Sequence, residues 1–169
     1  AVVYLSQNKW QLAILSLKEG LKYEQKNEWA LLKIGLTLEL LEKNEEAILH
    51  YERLMDTLPL KLIVVDRLSN LYWKNFLFKK GEETLITGIK NFPLEIKLID
   101  KLVNYYESIG FYENAKKILY TFIKLEPYNA AALAKIGFFE KKLNKFTNGL
   151  KYFKKALEIN PEFEWAKIQ

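Results

Sequence analysis

The chain has 169 residues, half of them hydrophobic and 28% charged, which is enough to bury a core and too apolar for a disordered tail. It has no cysteine, which excludes disulfide staples, thiolate metal sites and a cysteine nucleophile, and no apolar run reaches the roughly 18 residues of a membrane span. The net charge is +5, yet Arg53 and Arg67 are the only arginines, so the guanidinium fork that reads phosphate and guanine is scarce.

The prolines, Pro59, Pro93, Pro127 and Pro161, are spaced 34 residues apart, a period that signals stacked repeats. On this ruler a half unit occupies 1–27, full units occupy 28–61, 62–95, 96–129 and 130–163, and a further unit opens at 164–169.

In chain order, the half unit supplies a partial first helix with Ala1 and Tyr4, a turn at Asn8, and a second helix with Trp10, Ala13 and Leu17. The unit at 28–61 predicts a first helix on the apolar stripe Leu31, Ile34, Gly35 and Leu38, and a second on Ala47, Tyr51 and Leu54. Its one histidine, His50, is expected to be solvated, and Glu45–Glu46 to open the second helix, where the helix dipole favours acids. The unit at 62–95 repeats the stripe with Val65, Leu68, Ser69 and Tyr72, then Gly81 and Leu85, with Glu82–Glu83 expected at its second-helix start. At 96–129 it becomes Ile99, Leu102, Val103 and Tyr106, then Ala115, Leu119 and Phe122, around a turn at Gly110. At 130–163 it is Leu133, Ile136, Gly137 and Glu140, then Gly149, Phe153 and Ala156. Small residues at the eighth and twentieth positions of each unit let two helix axes approach, and the large residues fill the space around that contact. One such pair cannot cover its own apolar faces, so pairs must stack.

This pattern resembles the tetratricopeptide repeat, with its W-x2-L-G-x2-Y…A-x3-F…P signature over 34 residues; the best local match is Leu133, Ile136, Gly137, Phe146, Phe153, Ala156 and Pro161. The resemblance implies an all-α, right-handed superhelical solenoid of antiparallel helix pairs, with 1–169 as a single array. Departures are Val103 at a small position, bulky Leu54 and Phe122 where alanine is usual, and Glu140 in place of an aromatic.

No catalytic motif, phosphate loop or metal-ligand spacing occurs, so no enzyme activity, cofactor or metal is expected. A basic residue recurs at the sixth position of every full unit, as Lys33, Arg67, Lys101 and Lys135. In the family, neighbouring first-helix positions line a concave groove, and some members hold an extended peptide there. The resemblance implies a groove floor of Asp66, Arg67, Asn70, Lys97, Asp100, Lys101, Asn104, Lys135 and Phe138, with Trp29, Leu32, Leu36 and Trp73 as apolar anchors. In such a groove, asparagine amides would bond a peptide backbone and the cations would meet acids or a terminal carboxylate. The structural counterpart is that Asp66 pairs with Lys101 and Asp100 with Lys135 across neighbouring units. The carboxylate clamp of chaperone-tail binders fits poorly, because Leu32, Leu36 and Arg67 stand where it needs lysine and asparagines.

Protein or peptide partners are therefore expected. The first alternative is self-assembly into a homo-oligomer or longer stack, since neither end carries a polar capping helix. The second is RNA or another polyanion on Lys141, Lys142, Lys145, Lys151, Lys154 and Lys155, although nucleic acid is the less favoured partner. The compartment stays open, the cytoplasm being favoured.

Overall fold

The structure is a computed structural model that describes residues 1–7, 9–57 and 59–169. Asn8, expected in a turn, lies outside the described residues. Among them, the regular structure is helical: α1 (Val2–Ser6), α2 (Trp10–Tyr23), α3 (Glu28–Leu40), α4 (Asn44–Thr57), α5 (Leu62–Lys74), α6 (Phe78–Asn91), α7 (Ile96–Ser108), α8 (Tyr112–Ile123), α9 (Ala130–Lys142), α10 (Phe146–Ile159) and α11 (Glu164–Ile168). The helices α3, α5, α7, α9 and α11 begin at 28, 62, 96, 130 and 164. All four prolines fall between helices, where the missing N–H breaks no helical bond. Asn27 and Asn129 cap α3 and α9 by accepting from the N–H of Ala30 and Ala132, each at 2.9 Å.

The chain divides into two compact units, Ala1–Gly88 and Ile89–Gln169, with the boundary inside α6. In the first unit α2, α3, α4 and α5 pack in succession, each against the next, around Ile14, Leu17, Leu31, Ile34, Leu38, Ala47, Tyr51, Leu54, Leu68 and Tyr72. In the second, α7 packs on α8, α8 on α9, and α9 on α10. A cluster of Leu133, Ala134, Phe153, Ala156 and Ala166 closes its C-terminal end.

The expected stripes are buried. Ala13, Ala47 and Ala115 have no exposed surface, and Gly81 and Gly149 are buried at the same position. The steric reason is visible at two places. A Cβ on Gly137 would come within 2.9 Å of the Gly149 backbone oxygen, so α9 and α10 touch backbone to backbone. A Cβ on Gly35 would come within 2.5 Å of Tyr51 Cε1, so that glycine makes room for an aromatic ring. Val103, Leu54 and Phe122 are accommodated fully or almost fully buried.

A regularity at the hairpin corners was not foreseen. Glu42, Phe76, Gly110 and Asn144, all at the fifteenth position of their unit, take φ of 56°, 61°, 76° and 61°. Left-handed backbone is natural for glycine and tolerable for asparagine, but costs a bulky residue such as Phe76 about 1–2 kcal/mol. Glu82 and Glu83 also depart from expectation: α6 starts at Phe78 and has no acid in its first turn.

Candidate functional site

The second position of each first helix faces solvent: Trp29, Ile63, Lys97 and Ala131 are exposed, with Trp29 keeping 48% of its surface. At the ninth position Asn70 and Asn104 are exposed, while Leu36 and Phe138 are half-buried. The cations Lys33, Arg67, Lys101 and Lys135 are half-buried. The fifth position does not form a uniform floor, because Asp66 and Ala134 are buried whereas Asp100 is exposed.

The predicted floor divides between the two units. In the first, Arg67 on α5 reaches back to Glu39 on α3, Nη1 to Oε2, at 3.4 Å. Glu39 Oε1 accepts the Tyr51 hydroxyl at 2.6 Å, tying this acid to the buried ring that packs on Gly35. Burial and the Glu39 carboxylate together push the Tyr51 hydroxyl far above its ordinary pKa. In the second unit Lys135 Nζ on α9 donates to Asn104 Oδ1 on α7 and lies 3.5 Å from Glu107 Oε2. Lys135 therefore pairs with Glu107 rather than with Asp100. Glu39 and Glu107 occupy the twelfth position of their units, one helical turn beyond the residues expected to matter. Their 68-residue separation was the available signal.

One expected anchor and one expected floor residue are occupied otherwise. The Trp73 indole lies over Gly81, where it would collide with any Cβ, so it packs the α5–α6 hairpin and is only half-exposed. Phe138 belongs to an aromatic cluster, 5.8 Å from Trp165 and 5.6 Å from Phe139 between ring centroids, with Lys142 Nζ 5.3 Å above its ring.

His50 differs from its expected solvated state. Its ring is half-buried and Nε2 lies 2.7 Å from the Leu31 carbonyl oxygen. Burial holds its pKa below the ordinary value; the Leu31 bond opposes this, and Arg53 and Lys18 add to the lowering.

The Glu140 departure is resolved by an ion pair. Lys116 Nζ on α8 lies 2.8 Å from Glu140 Oε1 on α9, with both side chains only 5% exposed. Tyr120 donates its hydroxyl to the same oxygen at 3.1 Å. Lys116 also lies 3.1 Å from Glu113, which is 2.9 Å from Lys145. Burial works against the Lys116 charge, but Glu140 and Glu113 outweigh it and the ammonium is stabilised. Among the described residues no group of three or more His, Asp or Glu side chains could hold a metal ion, and no helix is long and apolar enough to cross a membrane.

Residues 130–163 match the family model of the tetratricopeptide repeat. No curated protein matches the chain. Solved structures that resemble it include MamA, 22% identical over 94% of this chain and 87% of that one with a TM-score of 0.65. YrrB, described as a tetratricopeptide repeat protein with an unusual peptide-binding site, is 16% identical over 98% of this chain and 86% of that one, TM-score 0.63. A tetratricopeptide repeat protein from Parabacteroides merdae is 15% identical over 98% of this chain and 66% of that one, TM-score 0.67. At such identities the likeness is one of fold.

Proposed function

We propose that this tetratricopeptide-repeat chain is a non-enzymatic protein-interaction scaffold that holds an extended segment of a partner on the first-helix face of its second unit. The observation that carries this reading is the bond between Lys135 and Asn104. Lys135 donates to the amide oxygen of Asn104, so the NH2 donors are what this exposed side chain has left to offer a peptide carbonyl. Lys97, exposed on α7, adds positive charge beside it for an acidic side chain. Arg67 and Asn70 offer the same residue types on α5 of the first unit. YrrB supports the reading only to the extent that a protein of this fold has a peptide-binding site.

The test is selection of a displayed random-peptide library on the intact chain, with affinities then measured for Asn104→Ala and for the triple variant Arg67→Ala, Lys101→Ala, Lys135→Ala. Loss of a single neutral hydrogen bond predicts a several-fold weakening for Asn104→Ala, from about 1 kcal/mol, with helicity unchanged. Selected peptides that bind both variants as tightly as the parent would remove the first-helix face from consideration.

A further inference from the structure

The hairpin corner between α5 and α6 differs from the others in what it exposes. Phe76, Leu77 and Phe78 keep 79%, 42% and 46% of their surface, the longest run of exposed large apolar side chains among the described residues. The fold does not require them: the same places in the preceding unit are held by Glu42, Lys43 and Asn44, and that corner takes the same left-handed turn. Phe76 holds a strained backbone conformation at the apex without burying its ring in return. The Phe76 and Phe78 rings meet edge to face, 6.1 Å between centroids, and form a small wedge. Its backbone donors are satisfied from within: the N–H groups of Asn75, Phe76 and Leu77 donate to the carbonyls of Leu71, Trp73 and Tyr72 at 3.0, 3.1 and 2.8 Å.

A protruding wedge whose donors are satisfied can enter an apolar phase without stranding an N–H, and it offers no groove in which a peptide could lie. The charges around it are mixed. Lys74 and Lys79 are exposed on either side of the wedge and make no ion pair among the described residues. Glu42 and Glu45, also exposed, line a depression that reaches Asn75. Cations and acids side by side around an apolar tip match the phosphate and the quaternary ammonium of a zwitterionic headgroup, and they give no preference for a polyanion. We propose that this corner is a membrane-docking tip: Phe76, Leu77 and Phe78 enter the interface of a phosphatidylcholine surface, with Lys74 and Lys79 at its phosphates and Glu42 and Glu45 at its choline groups. The attachment is peripheral. It is separate from the first-helix face and does not depend on it.

The experiment is co-sedimentation of the intact chain with phosphatidylcholine vesicles, with and without added phosphatidylserine, beside sedimentation of the chain alone. The chain is expected to partition onto phosphatidylcholine saturably. Removing one inserted ring should lower the partition coefficient at least about tenfold in Phe76→Asn. Asparagine suits the left-handed backbone, so the loss cannot be laid to misfolding, and circular dichroism should show the helices intact. Phe76→Trp should keep the binding, and Lys135→Ala, on the first-helix face, should leave it unchanged. Phosphatidylserine or added salt should change the partitioning by less than about twofold, because the rim is balanced. Absence of the chain from the vesicle pellet, or Phe76→Asn binding as tightly as the parent, would overturn the proposal. So would binding that needs phosphatidylserine and is abolished by salt, which would assign attachment to a lysine face. A dimer in solution that Phe76→Asn dissociates, with no vesicle binding, would assign the tip to a second copy of the chain instead.

Discussion

Lys116 and Glu140 form an ion pair buried between two helices, and its energetics can be tested by a double-substitution cycle. The corresponding positions in the first unit, Ile14 on α2 and Leu38 on α3, are both buried and apolar. Lys116→Ile alone leaves the Glu140 carboxylate 5% exposed, with Tyr120 as its remaining hydrogen-bond donor, while Oε2 already lacks a partner. Glu140→Leu alone leaves the Lys116 ammonium facing Glu113 at 3.1 Å, a half-exposed acid screened by water. Breaking one side of a buried pair costs about 3–5 kcal/mol. Lys116→Ile belongs at the upper end of that range and Glu140→Leu, which keeps one partner, at the lower. The double variant copies the Ile14–Leu38 pair, and such replacements are neutral or stabilising by about 1–4 kcal/mol. For a chain of this length each kcal/mol moves the melting midpoint by roughly 2–4 °C, so either single change should lower it by roughly 6–20 °C and the double should restore it. Urea unfolding followed by circular dichroism and by tryptophan fluorescence gives the free energies. A single variant costing less than about 1 kcal/mol, or a double costing the sum of the singles, would refute the claim that burial governs this pair.

Three further outcomes are expected. Gly137→Ala, which drives a methyl toward the Gly149 backbone oxygen, should cost about 1–3 kcal/mol that no side-chain rearrangement recovers, whereas the similar loss in Gly35→Ala should be partly regained by Tyr51→Leu; thermal melts decide this. Phe76→Asn should stabilise the first unit by about 1 kcal/mol in denaturant unfolding, because the ring is 79% exposed and its backbone left-handed. His50 should titrate below its ordinary pKa of about 6.5. The unfolded chain then takes up its proton at higher pH than the folded one, so this contribution to stability is complete above pH 6.5 and declines as the pH falls. Unfolding at pH 7.5 and 5.5 should show wild type losing more stability on acidification than His50→Gln does, and equal losses would contradict the burial argument.

Much of the fold could be read from the residues because it depends on period and size. Pro59, Pro93, Pro127 and Pro161 mark the breaks, and Ala47, Gly81, Ala115 and Gly149 mark where axes approach. Contacts between one hairpin and the next were harder to see. Whether Lys135 meets Asp100 or Glu107, both on α7, depends on the angle at which α9 crosses it, and the sequence does not state that angle. The third position of each unit was missed for a related reason: Ala30, Val64, Leu98 and Ala132 are buried because packing from both sides widens the apolar stripe beyond a single face. Trp73 could be core or anchor by its spacing, and the glycine eight residues on decides the matter only once α5 and α6 are brought together. Glu140 looked like a defect because its partner, Lys116, lies 24 residues earlier on another helix.

The corners of the hairpins carry a last consequence. Glutamate, phenylalanine, glycine and asparagine adopt nearly the same twist there, so the bend is imposed by the helices that it joins rather than by the residue at its apex. The joints therefore tolerate a change of residue: what stands at the apex sets how much strain the corner carries, while the turn itself is kept.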